Sequence, residues 1–368
     1  MQIERTITLS QLDAKLVGGL IEFGPRDLRK LSELLKIPYS KVVYSYKRAY
    51  DKLGLRVLAA PNTELLGLTH TFFEVTPSKQ YRGVALKALE GISCLNYLAV
   101  NANKPTNIFG LLYLPRGPGY DYYLTLFDKL YQEDFLESYN LRNFPEISRY
   151  SVRPECVDWH TGEYVFDWDK LTPREPEAKV YDASERPQAD RLDLLLLKEL
   201  ESDAALSFPD ISMRLFKQLG LKVSDRLLLY HYTKHLVARK MFSKYRVVFS
   251  QSGKLGVYLL ADTSPSMLTE YREWVTRVPY LNRELVDMSG KHFSEHYMPP
   301  KHYTGFLEYV ESKLAPLVDS IEIYSSLPGL RSSFSLPYEL FDEERGKWMH
   351  DPEADAERVL RIAQTLKA

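Results

Sequence analysis

The chain has 368 residues, with 48 Lys and Arg against 49 Asp and Glu and a formal charge of −1; its apolar content suits more than one globular core and excludes a disordered tail. Bulk basicity cannot support a nucleic-acid role, so any such surface must be a local patch or helix face. Cys94 and Cys156 lack C-x-x-C spacing, which excludes a disulfide framework or cysteine-rich zinc site. Met1 to Arg5 lead into no long apolar stretch, and no run of about 18 apolar residues follows. The expectation is a soluble, cytoplasmic protein with no membrane partner.

In chain order, Ser10 is expected to cap a helix carrying Leu12, Leu16 and Leu20, with Asp13 in the first turn where the helix dipole favours a carboxylate. Gly24-Pro25 ends it. Asp27, Leu28, Leu31, Leu34 and Leu35 make a second amphipathic helix, and Pro38-Tyr39-Ser40 a turn with Ser40 as a fresh cap. A third helix then runs from about Lys41 to Lys52, stopping at Gly54. Beyond it the pattern predicts a strand over Leu68 to Val75, a helix over Tyr81 to Leu89, and strands over Leu95 to Val100 and Ile108 to Leu114. A helix over Tyr122 to Phe135 and a last strand over Ile147 to Val152 complete the half. The charged, proline-rich stretch from Lys170 to Gln188 is a linker.

The second half repeats this order. Leu192, Leu195, Leu196 and Leu200 line a helix, Ser207-Phe208-Pro209-Asp210 opens the next, Gly220 ends it and Ser224 opens the third. Strand, helix, strand, strand, helix and strand follow at Leu255 to Leu260, Ser266 to Arg277, Glu284 to Met288, Phe293 to Tyr297, Tyr303 to Leu314 and Ile321 to Tyr324, the split βαβ, ferredoxin-like order. Asp351-Pro352-Glu353, then Val359, Leu360, Ile362 and Leu366, mark a C-terminal helix.

The two halves are copies. Ser151-Val152-Arg153-Pro154 through Asp158, Gly162, Tyr164 and Asp167 recurs as Ser335-Leu336-Pro337 through Asp342, Gly346, Trp348 and Asp351. Subtracting 158 from 342, 162 from 346, or 40 from 224 for the two Ser caps gives the same offset of 184. Such a period exceeds any solenoid unit and suits a duplicated multi-element module. The shared tail is expected to be a strand and hairpin extending each sheet, with Tyr164 and Trp348 as packing anchors.

Three short helices with a tight turn before the third, opened by Leu12-Asp13 and Arg191-Leu192-Asp193 and followed by a ferredoxin-like order, resemble the Lrp/AsnC family of prokaryotic transcription regulators. The resemblance implies an α+β fold, a tandem duplication of a winged helix-turn-helix domain followed by a ferredoxin-like domain. The expected divisions are 1–60, 61–169, a linker over 170–189, 190–250, 251–350, and a C-terminal helix over 351–368. It implies a sequence-specific regulator, archaeal in style, working as a covalent pseudo-dimer or a homodimer of such chains. Its partner would be double-stranded DNA, with recognition helices 41–52 and 225–238 in the major groove. Contacts would fall on Lys41, Tyr44, Ser45, Lys47 and Arg48, and on Ser224, Arg226, Tyr230, His231, Lys234, His235, Arg239 and Lys240, which carry donors for phosphates and base edges. Lys244 and Arg246 continue the positive stretch into the wing. Charge runs are commonly just solvated helix faces; here basic residues recur at the third helix of both copies. A small-molecule effector at the ferredoxin-like domains is also implied, although Lys104 to Gly110 and Ser289 to His292 do not reproduce the family's Gly-x-x-Asp signature.

Other chemistry is weaker. His292, His296 and His302 with Glu295 form a histidine cluster that could hold a metal, but it has no counterpart in the first half. His231 and His235 stand four apart, a metal-compatible spacing without the Glu of a zincin motif, so DNA contact is the preferred reading. Pro115-Arg116-Gly117-Pro118-Gly119 lacks the ending of a phosphate loop, and Cys94 lacks an activating pattern. The expectation is therefore no enzyme, no cofactor and no metal. The alternatives are sirohaem decarboxylases, which share the paired architecture but whose basic and histidine signature is not evident around the second and third strands, and an architectural DNA-coating protein.

Overall fold

The structure, a computed structural model, describes residues 9–63, 65–116, 119–175, 189–249 and 254–367. The first copy runs α1 (Leu9–Phe23), α2 (Leu28–Leu35), α3 (Tyr39–Lys52), β1 (Leu55–Pro61), β2 (Leu68–Pro77), α4 (Ala85–Leu89), β3 (Leu95–Val100), β4 (Ile108–Pro115), α5 (Gly119–Gln132), β5 (Leu136–Phe144), β6 (Glu146–Arg149), β7 (Val157–Asp158) and β8 (Glu163–Tyr164). The second runs α6 (Arg191–Ser202), α7 (Phe208–Leu219), α8 (Asp225–Tyr230), β9 (Phe242–Phe249), β10 (Leu255–Asp262), α9 (Leu268–Arg277), β11 (Leu281–Asp287), β12 (Lys291–Met298), α10 (Tyr303–Tyr309), β13 (Ser320–Ser326), β14 (Arg331–Ser333), β15 (Phe341–Asp342), β16 (Lys347–Trp348) and α11 (Pro352–Lys367). The fold is the duplicated helix-turn-helix and ferredoxin-like α+β architecture that the sequence order implies. No helix among the described residues is long and apolar enough to cross a membrane.

Local chemistry explains most boundaries. Asp27 Oδ1 accepts from Lys30 N and starts α2, whereas α3 begins behind Pro38, so that Ser40, like Ser10 in α1, lies inside a helix rather than capping it. In the second copy Ser207 and Ser224 do cap α7 and α8, and Gly220, at φ 68°, closes α7 in the left-handed conformation glycine tolerates. Asp190 and Asp193 form a reciprocal capping box on α6. Most of the expected linker, residues 176–188, lies outside the described residues, as do Gly117 and Pro118.

Each ferredoxin-like sheet carries a fifth strand from the other copy. Within a copy the strands lie in the order β5-β2-β4-β3 or β13-β10-β12-β11; β14 then pairs with β3, and β6 with β11. The strand expected over 147–152 is thus β6, shorter than anticipated and seated on the opposite sheet, and β5 is the fourth strand of its own copy. Exchange covers the edges of β3 and β11, which would otherwise present unpaired backbone groups. The tails follow their strands across. Hairpin β7–β8 turns at Gly162 and hairpin β15–β16 at Gly346, both at positive φ; Tyr164 then packs 4.8 Å from Tyr280 of the second copy, while Trp348 Nε1 donates to Leu66 O of the first at 2.6 Å. C-terminal α11 also crosses, burying Ala356, Val359 and Ala363 in the first copy's core.

The two sheets pack face to face. Phe72, Tyr97, Phe109, Leu111, Tyr258, Leu260, Leu285 and Phe293 are buried between them, with Phe109 and Tyr258 ring centroids 4.9 Å apart. On β4, Phe109 and Leu111 face this layer, while Ile108, Leu112 and Leu114 face the helices, the period-two alternation of a strand buried on both sides. Gly110 permits the close approach, since a Cβ there would stand 2.4 Å from Tyr97 O. Above the sheets, β1 and β9 pair antiparallel, Leu55 to Phe249 through Ala59 to Tyr245, so the two wings bind each other.

Candidate active site

Where the paired wings meet the exchanged strands, a cleft of about 410 Å³ is lined by residues of both copies. Asn96 comes from β3, Arg149 from β6, Glu201 from α6, Arg246 from β9, Asn282 and Arg283 from β11, and Glu295 and Tyr297 from β12. The exchange itself creates the charge density. Arg149 on β6 lies directly opposite Arg283 on β11, a like-charge pair on one sheet face that is unfavourable unless anions stand nearby.

Glu295 answers one of these charges. Its Oε2 accepts from Arg283 Nε at 2.8 Å and Asn282 Nδ2 at 2.8 Å, and its Oε1 from the Tyr297 hydroxyl at 2.6 Å. Burial pushes its carboxyl up, but Arg283 and these donors outweigh burial and hold it below the usual range. Arg283 also bonds Asn96 Oδ1. The other two guanidiniums are less well supplied. Arg149 Nη2 reaches the Tyr113 hydroxyl at 3.3 Å, but its Nε has no partner among the described residues, and neither Arg246 Nε nor Nη1 has one there. Burial, then Arg149 and Arg283, push Arg246 down to about 10. Burial raises the Glu201 carboxyl, which weakens it as a counter-charge. Buried donors without acceptors cost roughly 1–3 kcal/mol each, more when charged, so the arrangement is organised for an anion.

Two neighbouring features extend it. A second cleft of about 640 Å³, running past Gly91, Lys198, Tyr338 and Arg358, shares Ser333, Phe334 and Ser335 with the first. On another side Lys254, beside Tyr164 and Tyr280, is pushed down to about 8 by burial and by Arg331. On Tyr113, which also bonds Arg149, the buried His70 ring packs at 4.9 Å, and its Nε2 has no partner among the described residues. Burial first, then Arg149 and Arg283, hold His70 well below the usual imidazole range, so it is neutral at ordinary pH.

The residues expected to contact DNA divide into two sets. Lys41, Tyr44 and Lys47 are exposed on α3, as are Ser224, Arg226, Tyr230, Lys234, Arg239 and Lys240 at the second reading helix. The other four point inward, a correction to the expected surface. Ser45 is fully buried between Val42 and Ala49, and Arg48 is bonded to Asp13 and, at 3.1 Å, to Trp159 O. His231 and His235 both direct Nδ1 at Asp193. The cause is helical spacing: positions three and four apart share the core-facing side. Exposed Leu227, Leu229 and Val237 interrupt the second basic surface. The cluster His292, His296, His302 and Glu295 does not converge either, because those side chains bond Glu284, Ser294, Tyr280 and Arg283 respectively.

Arg149, Arg283, Lys254 and His70 were not legible as a site in the sequence. The sequence marks Arg246 only as part of a basic wing. A usable signal existed: a charged residue inside an otherwise strand-like apolar run, as in Ile147-Ser148-Arg149-Tyr150, is buried or functional.

Fold and site together define a pseudo-dimeric helix-turn-helix and ferredoxin-like chain whose exchanged sheets enclose a cationic cleft. Over nearly its whole length the chain is similar to the siroheme decarboxylase NirDL. In the crystal structure of NirDL with an iron-uroporphyrin III analogue the identity is 9%, covering 96% of this chain and 99% of that one, with a TM-score of 0.53. A second crystal structure of NirDL gives 9% identity, 97% and 99% coverage and a TM-score of 0.51. AsnC of E. coli is 14% identical over 38% of this chain and 93% of its own, with a TM-score of 0.29. No protein-family model and no curated protein matches the chain. The expectation that the chain is no enzyme is thereby overturned, since the end-to-end structural likeness is to an enzyme.

Proposed function

We propose that the chain is a decarboxylase of a polycarboxylate tetrapyrrole of the uroporphyrin type, with the cleft around Arg149, Arg246 and Arg283 as its site. The observation that carries this reading is the set of buried guanidinium N–H groups on cleft-lining Arg149 and Arg246 that find no acceptor among the described residues. A uroporphyrin-type ring is flat and apolar at its centre and bears acetate and propionate carboxylates at its rim. Leu58, Val248, Tyr297 and Phe334 offer the cleft an apolar lining, and the guanidiniums offer donors suited to carboxylates. The end-to-end likeness to NirDL, solved with an iron-uroporphyrin III analogue, supports the same reading.

Decarboxylation breaks the bond between an acetate methylene and its carboxyl group. Carbon dioxide leaves, the electron pair stays on the methylene carbon, and a proton converts it to methyl, so no outside oxidant or reductant is needed. Arginines on the carboxylates that remain hold the ring in place. The proton is drawn from solvent, because His70 is buried and does not line the cleft. Burial first, then Arg149 and Arg283, suppress the basicity of His70 and keep it neutral, and carboxylates bound to those arginines offset only the smaller, charge-derived share of that suppression.

Titration with iron-uroporphyrin III tests this. Binding is expected to shift the visible absorption band, and Arg149→Gln and Arg246→Gln should each weaken it roughly 10–100-fold, the loss of a charge-assisted hydrogen bond. An unchanged spectrum, or variants that bind like the parent, would overturn the assignment. DNA regulation stands as a second reading because Lys41, Lys47, Arg226 and Lys234 are exposed on the third helices; their replacement should leave the tetrapyrrole titration untouched.

A further inference from the structure

The second helix-turn-helix contains a side-chain cluster that the cleft does not use. Asp190 and Asp193, at the start of α6, face His231 and His235, which lie on a π-helical continuation of α8 over His231–Val237. His231 Nδ1 is 2.8 Å from Asp193 Oδ1 and 3.6 Å from Asp190 Oδ2. His235 Nδ1 is 3.0 Å from both Asp193 oxygens and 3.7 Å from Asp190 Oδ2. One ligand atom from each of the four residues lies within 4.8 Å of the others.

A tetrahedral ion with ligand bonds of about 2.0–2.2 Å has edges of about 3.3–3.6 Å between donors. The His-to-carboxylate separations span 2.8 to 3.7 Å and all four donors lie within 4.8 Å of one another, so side-chain shifts of about 1 Å or less bring them to such edges. Both imidazoles present Nδ1 to the same carboxylate, and that nitrogen either donates one proton or coordinates one ion. In the first copy the matching carboxylate, Asp13, is answered by the permanent charge of Arg48; the second copy carries two imidazoles instead. The π-turn places those rings 4.5 Å apart, centroid to centroid, and such turns recur at functional sites. Asp193 is fully buried, and the Asp190 side chain, 34% exposed, leaves an approach from solvent.

We propose that Asp190, Asp193, His231 and His235 bind one divalent metal ion, with two nitrogen and two oxygen ligands suited to zinc. The ion ties the start of α6 to the third helix of the second helix-turn-helix and is independent of the tetrapyrrole cleft.

The test uses the full chain, stripped with a chelator and titrated with zinc against a chromophoric competitor, and separately with cobalt. One zinc per chain, visible bands of tetrahedral cobalt and a zinc-dependent rise in Tm are expected. Asp190→Asn keeps a capping side chain at a partly exposed position, and His235→Gln removes one imidazole; each should weaken zinc by more than about tenfold and abolish the Tm response. Circular dichroism of both variants should match the parent, showing that they fold. Absence of stoichiometric zinc binding, or undiminished affinity in both folded variants, would overturn the proposal.

Discussion

Arg246→Met is the most informative single change in the cleft. Burial and two neighbouring guanidiniums lower Arg246 from the usual guanidinium range to about 10, and each tenfold change in proton affinity corresponds to about 1.4 kcal/mol. Keeping this charge therefore costs the folded state at most about 3 kcal/mol, and water in the open cleft reduces that to about 1–3 kcal/mol. The sign is fixed. A base whose folded pKa lies below its unfolded value destabilises the fold at every pH below about 10, and the penalty fades only above about 10, as pH rises toward the usual guanidinium range. Methionine keeps the apolar stem and removes the charge, so the variant should be more stable at neutral pH, raising Tm by a few °C. It should also bind iron-uroporphyrin III at least about tenfold more weakly. Differential scanning calorimetry with and without the tetrapyrrole reads both effects. Destabilisation of the unliganded variant would refute the reasoning, because it would make Arg246 a structural ion pair.

Lys254→Met should behave similarly but within a measurable pH window. The lysine is pushed down to about 8, so its charge penalises the fold below about 8 and the penalty disappears as pH rises toward 10.5. The variant's advantage in urea midpoint should be present at pH 7 and shrink at higher pH; a constant difference would contradict it. Arg48→Met should lower stability by about 3–5 kcal/mol, because it leaves buried Asp13 without its counter-charge. Changing Asp13 to Leu as well should recover most of the loss in chemical denaturation, whereas an additive second loss would show that the two residues are not coupled.

Local signals were legible wherever one segment settles its own structure. Asp27, Ser207, Ser224 and Gly220 mark helix ends by bonds made within a few residues, and the apolar runs of β3 and β4 can hardly be anything but buried strands. β5 was missed because Leu136-Glu137-Ser138-Tyr139-Asn140 exposes most of its side chains at a sheet edge, which weakens the alternation. β6 was recognised as a strand but placed on its own copy's sheet, since side-chain pattern says nothing about which sheet a strand joins. The cleft suffered most from this. Its arginines come from three strands far apart in the chain, and only the strand exchange sets Arg149 opposite Arg283. His231 and His235 show the same limit, because their spacing was visible while the two aspartates that face them lie on another helix.

The central claim is tested most directly by incubating the purified chain with iron-uroporphyrin III and following product mass and carbon dioxide release. Conversion of acetate to methyl side chains is expected, and is lost in Arg149→Gln. Tight, arginine-dependent binding with no carbon dioxide released would contradict the assignment of this cleft as a decarboxylase site.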